Sequence, residues 1–554
     1  MRKTVGRRYG TTLARHHKPR SWTMTCGRNR PPHAIAREEV HQAGGNLSAS
    51  TPEEIQAILW KAADKLRGSV DSVQYKEFML GLIFLKFVSD AFDEHRNKLA
   101  KKLAEDGVSD DRIGVFLEDR DEYTGAHVFW VPETARWSWI AANAKSQGVG
   151  KLLDEAMDAV MRENASLAGV LPKVFNRDDV SQQRVTELFD LITDARFGST
   201  EDMPAQVVLG EVYEYFLNNF ARAEGKKGGE FYTPQSVVRL AVEALEPDNG
   251  RVYDPACGSG GMLVQASKFI EAHGGRGHKA DIAVYGQEVN ERTWRLAKMN
   301  LAIHGIDGNL AVRWGDTLAD DKHPDLKADF VMANPPFNMR NWARNESDVR
   351  WQYGIPPRSN ANFAWLQHAV SKLADRGTAA IVLANSSHSS PRVEAEIRKA
   401  MVEADLVACM VALPPQLFRT TQIPACLWFL TKDKSPQGAK RLDDRRGTTL
   451  FIDASGMGEM VDRTERILTE ADLAKIAGTY HAWRGTESAQ EANLVYQDEP
   501  GFCFSADVAT VREHEYALAP ARYVGVGLPV AVEPHAVPRS GLAALMKDLY
   551  AIFD

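Results

Sequence analysis

What this chain lacks narrows its chemistry first. Its 554 residues include five cysteines (Cys26, Cys257, Cys409, Cys426, Cys503), with no C-x-x-C pair and no metal-ligand spacing. Buried or free thiols in a reducing cytosol are the expectation, without a metal centre. No Walker A loop occurs, and no G-x-G-x-x-G spacing, so neither a P-loop nucleotide site nor a dinucleotide site is expected. Long apolar runs are missing too. The most apolar stretch, Phe78 to Val88, is short and contains Lys86, so it predicts a core helix and no membrane span. Excess positive charge is absent: the net charge is −7, and any nucleic acid must be met through a local patch or a partner. There is no internal repeat and no low-complexity tract.

What is present is an ordinary globular composition, 44% hydrophobic and 25% charged, long enough for about three to four domains. Residues 1–48 form a basic leader: the first 37 hold ten Lys or Arg and no acid. They have no apolar core and no helical period, so disorder is expected rather than a targeting peptide or a nucleic-acid arm. Residues 49–195 predict a helical domain. Thr51-Pro52-Glu53-Glu54 has the pattern of a capping box, and Ile55, Leu59, Ala62, Ala63 and Leu66 share one face of the helix behind it. Tyr75 to Phe92 and Val207 to Phe220 predict further helices. From Arg251 the pattern becomes strand, loop, helix, repeated. Strands are expected at Val252-Tyr253, Ile282 to Tyr285, Leu310 to Trp314, Phe330 to Ala333, Ala379 to Leu383, Leu406 to Val411 and Leu427 to Leu430. Alternation of this kind predicts an α/β fold with a Rossmann-like, doubly wound parallel sheet over residues 200–455. Residues 456–554 predict a helical C-terminal extension.

Two loops of that sheet carry candidate chemistry. Asp254-Pro255-Ala256-Cys257-Gly258-Ser259-Gly260-Gly261 closes the first strand and opens a helix. Its glycines allow a sharp turn and close approach of a ligand, and the helix start offers free N–H groups. Glu288 ends the second strand, where a carboxylate accepts both hydroxyls of a ribose. Asp316 is expected to end the third and to accept an exocyclic adenine amine. Upstream, Thr233 and Pro234 predict a capped helix start beside Phe231 and Tyr232. Together these residues predict a nucleoside site without pyrophosphate, which points to S-adenosylmethionine.

Asn334-Pro335-Pro336-Phe337 leaves the fourth strand at its carboxyl end, where open α/β sheets place ligands. An exocyclic amine on adenine is a poor nucleophile, because its lone pair is delocalised into the ring. The Asn334 side-chain oxygen and the Pro335 carbonyl supply acceptors that draw its N–H bonds out of conjugation. Such preorganised groups contribute about 3 kcal/mol each, by analogy with oxyanion donors. Phe337 is placed to stack on an extruded base, worth roughly 1–3 kcal/mol, and the base must leave its duplex to be reached. Asn334, Pro335, Pro336 and Phe337 are therefore the candidate catalytic residues. Cytosine-C5 chemistry, which uses a cysteine usually placed after proline, is excluded: no cysteine here follows a proline. The segment Arg340, Trp342, Arg344, Arg350, Trp351, Tyr353, Arg358 suggests contacts to phosphates and bases, or a loop packed on its own domain.

With these residues the chain resembles the modification (methyltransferase) subunit of type I restriction-modification systems, a family of N6-adenine DNA methyltransferases. The match is carried by Gly229 to Pro234, Asp254 to Gly261, Glu288 and Asn334 to Phe337. Agreement extends to Glu396 to Lys399, Leu413 to Phe418, Thr421 to Ala425, Tyr480 to Trp483 and Tyr516 to Leu518, and the segment Ile55 to Val88 resembles the family's N-terminal domain. The resemblance implies methyl transfer from S-adenosylmethionine to a flipped adenine of double-stranded DNA. It implies that Glu230, Phe231, Tyr232, Thr233, Pro234, Gln235, Ser259, Gly260, Gly261 and Glu288 contact the cofactor, beside Asp254, Gly258 and Asp316. It also implies a cytoplasmic complex of two such subunits with one specificity subunit, which a motor-nuclease restriction subunit can join. Two alternatives stand beside it: a protein glutamine N-methyltransferase, whose similar motif grips an amide nitrogen, and a non-catalytic subunit that only assembles a DNA-bound complex. The length of the chain and its intact Asn334 and Phe337 weigh against both.

Overall fold

The computed structural model describes residues 56, 72–126, 128–178, 180–194, 205–224, 233–273, 282–418, 424–437 and 442–525, all within the unit Ser48–Asp554. The leader, the capping box at Thr51, the first helix face, Glu230, Phe231, Tyr232 and Thr421 to Ile423 lie outside them.

The helical part begins with α1 (Ser72–Glu105), whose segment from Phe78 to Phe92 is almost wholly buried. It is covered by α2 (Trp137–Gln147), α4 (Gln182–Asp194) and α5 (Ala205–Glu224), while α3 (Val149–Glu163) packs on α2 and α4. Aromatic stacking supports this packing: Trp137 lies on Phe189 and Phe92 on Tyr123, each with ring centroids 4.5 Å apart. Further helices are α6 (Gln235–Leu245), α7 (Gly261–His273), α8 (Glu291–Ile303), α9 (Asn362–Lys372), α10 (Val393–Glu403) and α11 (Glu470–Arg484). Glu77 of α1 pairs with Arg292 of α8 at 3.2 Å, which joins the helical part to the sheet part.

The strands are β1 (Gly250–Asp254), β2 (Ile282–Gly286), β3 (Gly308–Asn309), β4 (Ala328–Ala333), β5 (Leu373–Ala384), β6 (Val407–Ala412), β7 (Ala425–Thr431), β8 (Thr448–Asp453), a small hairpin β9 (Glu459–Met460) and β10 (Arg466–Ile467), and β11 (Cys503–Asp507). Nine of them form one sheet in the order β11-β8-β6-β7-β5-β4-β1-β2-β3. From β5 to β3 every pair is parallel. Helices cover both faces, and β6 and β7 are buried along their whole length, as strands covered on both sides require.

Three details depart from the sequence pattern. β7 runs antiparallel to both β5 and β6, so the sheet is mixed beyond β5. Consecutive antiparallel strands need no crossover helix, and apolar runs do not encode direction. The expected third strand at Leu310 to Trp314 is not a strand. Pairing stops at Asn309, whose Oδ1 accepts the Ala311 N–H at 3.0 Å, and Ala311 takes φ +60° and turns the chain away. The C-terminal segment is helical in α11, but it also supplies β11, which pairs antiparallel with β8 at the sheet edge.

Trp428 sits fully buried in β7, edge-on to Phe363, and its Nε1 donates to Ser387 Oγ at 3.0 Å. Trp428→Ala is expected to destabilise the protein by about 3–5 kcal/mol, seen as an earlier midpoint in urea unfolding. An unchanged midpoint would remove this residue from the core argument.

Candidate active site

β1 and β4 are neighbours and parallel, with Val252 opposite Phe330 and Tyr253 opposite Val331. Their carboxyl ends therefore leave the same edge of the sheet, and strand order runs outward from them in both directions. That is a topological switch point, the usual ligand crevice of open α/β sheets. A cavity of about 450 Å³ opens there, and its wall includes Asp254, Ser259, Glu288, Asp316, Asn334 and Pro336.

The glycine turn is held by its own backbone. Gln287 N–H donates to Asp254 O and Cys257 N–H to Gln287 O, both at 3.0 Å. Gly258 at φ +54° and Gly260 at φ +82° supply the left-handed steps that swing the chain into α7. A Cβ at Gly258 or Gly261 would meet open space, so the backbone itself faces the cavity at these positions. Glu288 ties the turn to β2: Oε2 accepts Gly258 N–H at 3.0 Å and Oε1 accepts Asn290 N–H at 2.8 Å. Burial pushes the Asp254 carboxyl up to about 8. The Ala256 N–H on its Oδ1 opposes this, and the nearby Glu288 carboxylate adds to it. Burial likewise raises the Cys257 thiol, which leaves it inert as a nucleophile.

Asp316 lines the cavity from the loop beyond β3, not from a strand end. Its Oδ1 accepts Leu318 N–H at 2.9 Å, and the neighbouring Thr317 hydroxyl donates to Pro255 O at 2.6 Å. The acid is thereby locked to the glycine turn by a residue that sequence reasoning had passed over.

On the other side, Asn334 is buried. Its Nδ2 donates to Thr233 Oγ1 at 2.9 Å. Its Oδ1 is shielded from solvent and has no hydrogen-bond partner among the described residues. Thr233 was expected to cap a helix. Instead Pro234 holds the cap position of α6 without a side-chain bond, and the Thr233 hydroxyl orients the Asn334 amide. Gln235, the first residue of α6, is in the cavity wall with Thr233. Pro234, Gly260, Pro335 and Phe337 are not in that wall. Phe337 instead meets Phe418 edge to face at 5.6 Å.

The basic aromatic segment after the motif is mostly a packed loop. Trp342 and Trp351 are buried against each other, and Arg344 donates to Pro356 O. The Arg350 guanidinium binds Asp348 and donates to Thr317 O and Leu318 O at 2.9 and 2.8 Å and to His368 Nδ1 at 3.0 Å. Burial and that guanidinium hold the His368 imidazole down at about 3, hence neutral and able to accept. Arg340 and Arg358 remain at the surface.

The helical part also reaches the cavity. Lys76 of α1 and Glu214 of α5 are in its wall, as are Asn300 of α8 and Trp365 of α9. Asn300 Nδ2 donates to Ser259 O at 2.9 Å, while its buried Oδ1 has no partner among the described residues. None of these four was anticipated. Each lies on a helix of the structure, and no local motif in the sequence flags it.

An adenosine ligand with a cationic amino-acid tail fits this donor set. The cavity offers carboxylates at Glu288 and Asp316, exposed backbone at the glycine turn, and orphaned buried polar atoms on Asn300 and Asn334.

Comparison with known proteins gives concordant findings. The N-6 DNA Methylase family matches residues 205–527, and the HsdM N-terminal domain matches residues 55–194. The HindI methylase subunit of a type I restriction enzyme from Haemophilus influenzae is 43% identical, over 76% of this chain and 96% of that protein. The MjaIX methylase subunit of a type I restriction enzyme from Methanocaldococcus jannaschii is 36% identical, over 87% of each. Among solved structures, the methyltransferase subunit of a type I restriction-modification system from Streptococcus thermophilus superposes with a TM-score of 0.71. It is 24% identical and covers 86% of this chain and 100% of its own, a likeness of fold.

The Asp254 carboxyl has a pH consequence. An acid with a higher pKa in the folded chain keeps its proton where the unfolded chain has lost it, so stability falls as pH rises toward the folded value. From about pH 5 to pH 8, the melting temperature of Asp254→Asn is therefore expected to gain steadily on that of the unaltered protein. A pH-independent gap between the two melting curves would show that this carboxyl ionises normally.

Proposed function

We infer that this chain, which belongs to the N-6 DNA methylase family, is the modification subunit of a type I restriction-modification complex. It is an adenine-specific DNA methyltransferase. Its methyl donor, S-adenosylmethionine, is assigned to the cavity beside the glycine turn, and its acceptor is a target adenine turned out of the duplex. When bound, that cofactor supplies a methyl group on a positively charged sulfur.

The observation that carries the mechanism is the state of Asn334. Its amide is pinned through Nδ2 to Thr233, which leaves a buried, unpartnered Oδ1 on a residue of the same cavity wall as the glycine turn and Glu288. An acceptor so placed takes an N–H of the target amine, withdraws the nitrogen lone pair from the ring, and stabilises the positive charge that grows as the nitrogen attacks. The carbonyl of Pro335, a buried residue, is assigned the second N–H. Glu288 is assigned the ribose hydroxyls of the cofactor and Asp316 its adenine amine. Gly258, Ser259 and Gly261 present backbone to the methionine portion. Phe337, with Phe418 behind it, is assigned to the face of the extruded base.

With its net negative charge, the chain relies on partners to find its DNA site. The complex we propose holds two copies of this chain, one specificity subunit that reads the sequence and, when restriction is required, a motor-nuclease subunit. It works in the cytoplasm; no described helix is long and apolar enough to cross a membrane.

The test is transfer of tritiated methyl groups to duplex DNA by the chain with its specificity partner. Asn334→Ala is expected to bind cofactor normally and to lose transfer by about 10²–10³-fold. Near-normal transfer by this variant would refute the role of the carboxamide. Thr233→Val, which removes only the oxygen that orients Asn334, is expected to slow transfer about fivefold, the worth of one hydrogen bond. An unchanged rate would show that Asn334 needs no such support.

A further inference from the structure

Trp365 has no part in the mechanism above, yet its state is unusual for this protein. It is 5% exposed, and its indole Nε1 is shielded from solvent with no hydrogen-bond partner among the described residues. Buried indole N–H groups normally find an acceptor. Here those of Trp137, Trp294, Trp342, Trp351, Trp428 and Trp483 each donate to a protein oxygen at 2.7 to 3.1 Å. Trp365 differs from all six in lining the active-site cavity. It clusters with Leu318 and Met339 and with Ala256 of the glycine turn, beside the Asp316–Thr317 loop. The residue that carries the lone donor thus shares a wall with the acid assigned to an adenine amine.

We propose that Trp365 is a cofactor-binding residue whose Nε1 donates a hydrogen bond to a ring nitrogen of the cofactor's adenine. The inference rests on the reading of this cavity as a site for S-adenosylmethionine. Asp316 accepts from the exocyclic amine while Trp365 donates to an unprotonated ring nitrogen. A 6-aminopurine satisfies both groups. A 6-oxopurine has no amine for Asp316, so the pair selects adenosine over inosine or guanosine ligands.

Calorimetric titration of S-adenosylhomocysteine, without DNA, separates the outcomes. Trp365→Phe keeps the ring and removes the donor, and it should weaken binding about five- to tenfold. The 1-deaza, 3-deaza and 7-deaza adenine analogues identify the atom. One of them should bind the unaltered protein and Trp365→Phe equally, and the other two should show the full loss. An equal loss with all three analogues, or affinity for the parent ligand within about twofold of the unaltered protein, overturns the proposal. So does a variant that binds the ligand normally and fails only on DNA carrying the target adenine, since the donor would then serve the acceptor base. Should Trp365→Phe fold poorly, the unaltered protein still decides: it must discriminate against at least one deaza analogue, and equal affinity for all of them overturns the proposal. If the unaltered protein bound no S-adenosyl ligand, the cofactor reading itself would fail and this inference with it.

Discussion

The parallel pairing of β1 with β4 is the constraint on which the site depends. Val252 faces Phe330 and Tyr253 faces Val331 in the ladder, so the two strands end at the same level on the same edge. Neighbouring strands lie about 4.8 Å apart, and the loops they release cannot diverge far within a few residues. A donor site over one loop and an acceptor site over the other are therefore in reach of each other. Had β4 been paired elsewhere or run the other way, the same motifs would have faced different solvent.

Around that edge the protein spends polar contacts on rigidity. Glu288 holds Gly258 and Asn290, Thr317 holds Pro255, and Arg350 holds the backbone of Thr317 and Leu318. His368 closes the chain of contacts by bridging Arg350 to the Tyr253 hydroxyl on β1. The loop after the Asn-Pro-Pro-Phe motif is thereby tied to the acid loop and, through it, to the glycine turn. Site geometry that rests on locked neighbours in this way loses little energy to reorganisation when charge develops.

Much of the fold was legible in the chain, because its signals are local. Apolar runs flanked by turns marked β1, β2, β4, β5, β6 and β7, and the glycine loop marked the join of β1 to α7. The third strand was misread because Leu310 to Trp314 has strand-like composition. The side chain of Asn309 and the positive φ of Ala311 end the pairing, and neither shows in an apolar pattern. Strand direction at β7 was equally invisible. Of the cavity wall, Asn334, Glu288, Asp254, Gly258 and Gly261 stand out in the sequence because their residue types are unusual at and just beyond a strand end. Lys76, Asn300 and Trp365 do not, because on a helix each looks like any packing or surface residue.

The amino-acid sequence by itself determined which chemical groups this protein owns and in what order the chain offers them: a glycine turn, then acids, then a carboxamide between a strand and two prolines. Tertiary structure decided the state of those groups. The bond that orients Asn334 joins residues 101 positions apart. The proton on Asp254 is kept there by burial, and Trp365, with its unpaired donor, lines a cavity whose other walls come from segments far from it in sequence. Hydrogen bonding and desolvation act over a few ångströms in space, so which atoms are satisfied and which are left for a ligand is settled only when distant segments come together.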